Sequence, residues 1–221
     1  MPRVILAGLL ILGAQAATAH AQTAPKQAVV DTSAGTFVID ITPETAPNQS
    51  AYFMKLAAEG GYDGTTFHRM VKYGLVQGGD PLSKDPSKKS AYGTGGLNVI
   101  KAETRAPKMT RGSVAAVLIP GRPDSAGAQF FIVLADQPAL GGQYTVFGQV
   151  SDGMEVLAKI SESAVDASGV AVDRVEITKV TIRDTPPVRF VNDSPQDLGQ
   201  YRVVLDTRAG AIGLEFMPDK A

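Results

Sequence analysis

Apolar and polar residues alternate along several short segments of this chain. The alternation is regular in 36–41 (TFVIDI) and 175–182 (VEITKVTI). This two-residue period is that of a β-strand with one buried face. Residues typical of turns, mainly glycine and proline, separate many of the segments. The pattern therefore predicts strands at 28–32, 36–41, 65–71, 112–119, 129–134, 145–150 and 175–182.

Two other segments have the longer period of an amphipathic helix. One runs from about Gln49 to Glu59, with Asn48 as its predicted cap, and a shorter one runs from Gly153 to Ile160. Many short strands favour a closed antiparallel barrel, because closure removes the exposed edges of a sheet. The predicted fold class is therefore mainly β, a closed antiparallel barrel whose open ends are capped by the two helices.

The first 21 residues have the pattern of a signal peptide. Arg3 precedes a short apolar run, Val4 to Leu12, and Ala19-His20-Ala21 has the small-x-small form of a signal peptidase site. The alternative is an uncleaved anchor, but about 20 apolar residues are needed to span a bilayer. Cleavage after Ala21 is expected. The chain is thus predicted to be periplasmic or secreted, with no membrane attachment once the signal peptide is removed.

The chain is predicted to continue beyond its main domain. That domain covers 22–184, and a polar segment with several prolines at 185–200 has the composition of a linker. Residues 201–221 then resemble the first predicted strand pair, because 204–210 match 29–35 at a constant offset (210 − 35 = 175). We interpret them as the truncated start of a second copy of the domain. The alternative is an unrelated strand-turn-strand tail that packs on the barrel.

Composition and charge exclude several classes of function. The chain has 221 residues, of which 44% are hydrophobic and 19% are charged, as in an ordinary globular protein. Its net charge is −1 and its basic residues form no run, so neither nucleic acid nor an anionic membrane surface is predicted as a partner. The absence of cysteine excludes disulfide bonds and thiol redox chemistry.

The segment from Phe67 to Asp80, FHRMVKYGLVQGGD, carries the candidate chemistry. Arg69 and Gln77 lie eight positions apart on a predicted hairpin that turns at Tyr73, so the strand period puts both side chains on one face. The sequence shows no acid beside the arginine, no nucleophile paired with a base and no spacing of metal ligands. A permanent cation and a neutral amide on an apolar surface suit the binding of a carbonyl or amide better than the cleavage of a bond.

Four blocks of the sequence, taken together, resemble the cyclophilin family of peptidyl-prolyl cis-trans isomerases. They are the hairpin segment at 67–80, GTGG at 93–96, AGAQFFI at 126–132 and YTVFGQV at 144–150. The resemblance covers roughly 28–184. It implies an eight-stranded barrel and an isomerase that rotates X-Pro bonds without a covalent intermediate, a metal or a cofactor. Proline-containing polypeptides are then the expected partners, and a monomer is the expected state.

The resemblance also implies the roles of individual residues. Arg69 is expected to be the catalytic hydrogen-bond donor, and Gln77 is expected to bind the substrate backbone. Gln129 is expected to lie beside the groove and to bind substrate there. His68, on the other side of the strand from Arg69, is expected to be a packed, hydrogen-bonded residue rather than a general base. The residues expected to line the proline pocket are Leu75, Phe131, Leu140 and Tyr144.

The sequence departs from the family pattern at the pocket. Gly74 stands where the family usually has a phenylalanine, although the neighbouring Tyr73 could swing in and replace it. Ala139 stands where eukaryotic members have a tryptophan. Around 116–120 the pattern needs a one-residue insertion, so no pocket residues can be assigned there. These departures predict a shallower proline pocket than is usual.

Two classes of function follow from these residues. In the first, the protein accelerates X-Pro rotation in exported chains and so assists their folding. In the second, it is a proline-peptide-binding or chaperone module with weak or no turnover, because the pocket has lost aromatic residues. The presence of both Arg69 and Gln77 favours the enzyme.

Overall fold

The computed structural model describes residues 24–104, 108–167, 169–187, 194, 201–207, 210–215 and 217. The predicted signal peptide at 1–21 lies outside the described residues, as does most of the predicted linker at 185–200. Among the residues described, no helix is both long and apolar enough to cross a bilayer.

Eight antiparallel strands form a closed barrel, which confirms the predicted fold class. Around the barrel the strands follow the order β1-β2-β7-β5-β6-β4-β3-β8. Closure pairs β1 with β8 as well as with β2, so neither edge is left open. The strands are β1 Lys26–Thr32, β2 Gly35–Ile41, β3 Thr66–Val71, β4 Leu75–Gly78, β5 Ser113–Ala116, β6 Phe130–Val133, β7 Val146–Asp152 and β8 Val170–Asp184.

Two helices pack against this barrel. Helix α1, Pro47–Ala58, contacts β7 and β8, and helix α2, Met154–Ser161, contacts β2, β3 and β4. The predicted cap of α1 at Asn48 is wrong. The helix begins at Pro47 instead of about Gln49, and proline has no backbone N–H that would need an acceptor at this first position. The Glu103 carboxylate accepts the backbone N–H groups of the next two residues at 3.2 and 2.9 Å.

The main core fills the barrel interior with aromatic rings. Phe53 of α1 packs against Phe130, Phe147 and Tyr62, with ring centroids 5.9, 5.1 and 5.0 Å away. All four side chains are almost completely buried. The helix is therefore held to the barrel by the same cluster that holds the strands together.

A second sheet lies after the barrel in the sequence. It consists of two antiparallel strands, β9 Arg202–Thr207 and β10 Gly210–Glu215. The predicted strand pair in 201–221 is thus present, whereas its position as the start of a second copy stays a prediction.

Candidate active site

A row of paired residues crosses four strands on the outer surface of the barrel. Arg69 on β3 pairs with Gln77 on β4, Gln77 pairs with Phe131 on β6, and Phe131 pairs with Ala115 on β5. Residues directly opposite one another on neighbouring strands share one face of a sheet. The predicted common face of Arg69 and Gln77 is therefore confirmed, and Phe131 lies on the same face.

Alternation separates this outer row from the barrel interior. Phe130 and Ile132 belong to the main core, whereas Phe131 and Val133 belong to a second, smaller apolar cluster. Leu75, Leu140 and Tyr144 pack against this second cluster while remaining partly exposed. An apolar surface thus lies outside the barrel, directly beside the exposed Arg69 side chain.

Phe131, the partly exposed apolar residues around it, and the polar residues Arg69 and Gln77 line a groove of about 280 Å³. The Phe131 and Tyr144 rings meet edge to face with centroids 5.0 Å apart, and Leu140 comes from a 3-10 turn at Pro138–Leu140. Two of the lining residues, Val117 and Leu118, could not be assigned from the sequence. The complete lining is Arg69, Leu75, Gln77, Val117, Leu118, Phe131, Leu140 and Tyr144.

The buried Gln129 side chain positions the Gln77 amide by a hydrogen bond. The Gln77 side chain donates from Nε2 to Gln129 Oε1 at 3.1 Å, and Gln129 Nε2 donates to the Gly95 carbonyl at 2.7 Å. Gln129 is 0% exposed and does not line the groove. It was predicted to bind substrate beside the groove, but in this geometry it can act only through Gln77.

The loop that carries Gly95 is tied to a buried carboxylate. Asp80 accepts the backbone N–H groups of Leu82, Gly93 and Gly95 at 2.8, 2.5 and 3.2 Å. A Cβ on Gly95 would lie 2.3 Å from Asp80 Oδ1, so only glycine allows this close approach. The carboxylate thus fixes the loop, the loop fixes Gln129, and Gln129 fixes Gln77.

We expect Asp80→Asn to destabilise the fold and to lower activity. The amide lacks one acceptor oxygen, and hydrogen bonds to charged groups contribute about 1.5–3 kcal/mol each. Urea unfolding should show a loss of that size in the free energy of unfolding. The matched control is Asp85→Asn, since this partly exposed carboxylate accepts from Ser87 at a turn start, where asparagine caps equally well. Equal stabilities for the two variants would contradict the role given to Asp80.

Tyr73 does not replace the missing pocket phenylalanine. Its backbone N–H donates to Ser161 Oγ at 3.2 Å, and its hydroxyl donates to the Glu162 carboxylate, a hydrogen bond that raises the pKa of Tyr73. The residue sits at the hairpin turn with φ 54° and is not part of the groove lining. Ala139 is exposed and likewise lies outside the lining.

His68 points away from the groove and is packed, as predicted. The predicted hydrogen bonding is wrong, because neither ring nitrogen has a hydrogen-bond partner among the described residues. It is 3% exposed and its ring packs edge to face with Tyr92, with centroids 6.3 Å apart. Burial lowers the pKa of His68, and the nearby Arg69 charge lowers it further, while the Asp80 charge and a contact with the Thr66 backbone oppose the shift. The imidazole is therefore neutral at pH 7 and is not placed to exchange a proton with a substrate in the groove.

The buried imidazole predicts a loss of stability in acid. Because the folded pKa lies below the usual 6.5, the unfolded chain binds more protons below that pH. The contribution of the neutral His68 to the unfolding free energy is complete above pH 6.5 and is lost as the pH falls below it. His68→Gln should flatten the pH dependence of the unfolding free energy between 6.5 and about 5, where carboxylates still stay ionised. His20, the other histidine, lies in the predicted signal peptide, so a chain from Gln22 isolates this effect. Parallel profiles for the two proteins would contradict it.

Among the residues described, no group of three histidine, aspartate or glutamate side chains could hold a metal ion. The groove itself contains one cation, one amide, one phenol and apolar side chains. These groups can bind a carbonyl, desolvate an apolar ring and donate hydrogen bonds. They cannot supply a nucleophile with its base.

Comparison with known proteins agrees with this geometry. The family model for cyclophilin type peptidyl-prolyl cis-trans isomerases matches residues 28–182. A peptidyl-prolyl cis-trans isomerase of Arabidopsis thaliana is 33% identical over 167 residues, which cover 76% of this chain and 99% of that protein. A probable peptidyl-prolyl cis-trans isomerase of Brucella abortus is 34% identical over 170 residues, covering 75% and 86%.

A solved structure also resembles this barrel. The cyclophilin type isomerase of Cryptosporidium parvum, crystallised in the presence of the dipeptide Ala-Pro, superimposes with a TM-score of 0.64 at 27% identity. The match covers 72% of this chain and 99% of that one. The similarity therefore spans the whole of the related protein and most of this chain.

Proposed function

We propose that this chain, which belongs to the cyclophilin family of peptidyl-prolyl cis-trans isomerases, accelerates X-Pro rotation in exported proteins while they fold. Its isomerase activity follows from the family. The proposal concerns the clients, the compartment and the roles of the groove residues. The roles of the groove residues are supported mainly by the row of Arg69, Gln77 and Phe131 along one apolar groove.

The reaction requires rotation about an amide and no bond cleavage. The barrier is about 18–20 kcal/mol, because amide resonance is lost when the bond twists. Uncatalysed X-Pro isomerisation consequently takes tens to hundreds of seconds. A catalyst must therefore bind the twisted amide more tightly than the planar one.

Arg69 suits the part of hydrogen-bond donor to the twisted amide. When resonance is lost, the prolyl nitrogen regains a lone pair and can accept a hydrogen bond. A guanidinium is charged at every physiological pH and cannot be deprotonated by the substrate. Among the described residues, no hydrogen bond or ion pair of the Arg69 side chain is found within the protein, so its donors face the groove and solvent.

The other groove residues suit binding and desolvation. Gln77, held by Gln129, can bond the peptide backbone next to the proline. Phe131, Leu140 and Tyr144 offer an apolar surface to the proline ring. Removing water from the planar amide destabilises its dipolar resonance form and so favours the twisted state.

Export is supported by the N-terminal pattern of Arg3, an apolar run and Ala19-His20-Ala21. Sequencing the N-terminus of the protein from its natural source tests this point. We expect it to begin at Gln22 and to be found outside the cytoplasm. An N-terminus at Met1 in the cytoplasmic fraction would contradict export and leave the isomerase assignment untouched.

A refolding assay tests the folding role. A protein whose slow phase is X-Pro isomerisation refolds over tens of seconds, and that phase should accelerate in proportion to a substoichiometric amount of this enzyme. A binding module without turnover would leave the rate constant of the slow phase unchanged. It would affect refolding only when present in amounts equimolar to the refolding protein. The second result would favour the chaperone alternative.

A further inference from the structure

The β9–β10 hairpin repeats the geometry of the β1–β2 hairpin. Thr32 pairs with Gly35 and Thr207 pairs with Gly210, each pair offset by the same number (207 − 32 = 175; 210 − 35 = 175). In both turns the threonine hydroxyl donates to the glycine carbonyl at 2.6 Å. Every further pair keeps this register as far as Gln27–Asp40 and Arg202–Glu215. The two hairpins are therefore structurally equivalent, position by position.

The two hairpins also correspond in the polar pair at their open ends. Gln27 donates to Asp40 across β1–β2 at 2.7 Å, and Arg202 forms an ion pair with Glu215 at the equivalent positions of β9–β10. A cross-strand polar pair closes the open end of each hairpin. The second hairpin thus keeps the polar pair at the open end of the first.

The apolar faces correspond in sequence but differ in burial. In β1–β2 the inward pairs are Val30–Phe37 and Ala28–Ile39, and all four side chains are at most 1% exposed. Their equivalents are Leu205–Ile212 and Val203–Leu214, which are 47%, 51%, 37% and 49% exposed in that order. The second hairpin therefore carries a core-type face without a core.

Such a face needs a partner, and the first hairpin indicates which one. A two-stranded hairpin alone is at best marginally stable in water. The equivalent face of β1–β2 is covered by the barrel interior, with β8 and β7 paired along its two edges. The barrel of this chain is closed and has no slot left for a second hairpin.

A second copy of the chain fits this face poorly. Stable protein interfaces bury about 20–30 residues on each side. The apolar face of β9–β10 offers four aliphatic side chains of a single two-stranded ribbon. Face-to-face contact of two such hairpins is too small to hold a dimer.

We propose that β9–β10 is the first hairpin of a second barrel of this fold, and that the remaining strands of that barrel cover its apolar face. The polar, proline-containing segment after Asp184 then joins two barrels on one polypeptide. The proposal rests on the repeated register and faces, and it is independent of the roles given to Arg69 and the groove.

Intact-mass spectrometry of the protein purified from its natural source tests the proposal directly. At the same offset Ala221 is equivalent to Ala46 (221 − 46 = 175). A second barrel that matches the first from there to Asp184 adds 138 residues (184 − 46 = 138). The 221 residues have a mass of 23.1 kDa. We therefore expect the natural protein to be well above 23.1 kDa even after the signal peptide has been removed. A mass at or below 23.1 kDa overturns the proposal, whether the protein is then a monomer or a dimer by light scattering.

A transplant tests whether the hairpin is built for a barrel. Residues 202–215 replace 27–40 in the full chain, which keeps the apolar face and roughly conserves its volume, since Ala28→Val and Val30→Leu add carbons while Phe37→Ile removes them. The groove residues are unchanged, so we expect cooperative unfolding and isomerase activity within about threefold of the parent, a difference of less than about 0.7 kcal/mol.

The matched control is the same transplant carrying Leu205→Ser and Ile212→Ser, which puts two hydroxyls into the core and should abolish cooperative unfolding. If the first transplant does not fold, or if the control folds equally well, β9–β10 is not a barrel hairpin and the proposal is wrong.

Discussion

Replacing Arg69 by alanine is expected to lower kcat/KM for a short X-Pro peptide by about 10- to 100-fold. A hydrogen bond from a charged donor contributes about 1.5–3 kcal/mol, and each 1.36 kcal/mol of transition-state stabilisation is tenfold in rate. The side chain is exposed at the rim of the groove, so its removal should leave the free energy of unfolding within about 0.5 kcal/mol of the parent. The remaining acceleration comes from Gln77 and the apolar surface.

The measurement is a protease-coupled assay in which only the trans peptide is cleaved. Arg111→Ala is the matched control, because Arg111 is also exposed and is not part of the groove lining. Arg69→Lys separates charge from geometry, since lysine keeps the charge but loses the planar fork of donors. If Arg69→Ala and Arg111→Ala have the same kcat/KM as the parent, the groove described here is not where isomerisation occurs.

The barrel could be predicted because its signal is local. Period-two alternation assigns Phe130 to one side of a strand and Phe131 to the other, and the structure places the first in the main core and the second outside it. The eight-residue spacing of Arg69 and Gln77 likewise fixes a symmetric pair around the turn at Tyr73. Both inferences require only the geometry of one strand or one hairpin.

The parts of the site that the sequence did not predict depend on contacts between distant segments. Glu103 binds the start of α1 from more than fifty residues away, which no local capping pattern reveals. By alternation Gln129 shares the groove face of Phe131. Its side chain is nevertheless buried, because it bridges Gln77 and Gly95. Alternation gives the face of a strand and does not give the depth of a side chain.

The groove lining shows the same limit. Val117 and Leu118 lie beyond the end of β5 at Ala116, where strand periodicity no longer assigns a face. Tyr73 could be imagined swinging into the pocket from the sequence alone. Its contacts with Ser161 and Glu162 at the end of α2 hold it elsewhere, and those contacts depend on tertiary packing.

Replacing Phe130 by alanine is expected to cost about 3–5 kcal/mol of unfolding free energy, the usual range for removing a buried phenylalanine. The ring packs edge to face with Phe53, Tyr62 and Phe67, at centroid distances of 5.9, 5.8 and 6.2 Å. Its loss leaves a cavity between helix α1 and the strands that the closed barrel cannot collapse to fill. Urea unfolding monitored by circular dichroism gives the free energy.

The neighbouring Phe131→Ala variant is the control, because it removes the same group from the other side of the same strand. Its cavity opens into the groove and can hold water, so the unfolding free energy should fall less than for Phe130→Ala. Its kcat/KM should fall more, since the surface for the proline ring is lost. If the two variants lose equal stability and equal activity, the division of β6 into an interior face and a groove face is not what separates folding from function in this protein.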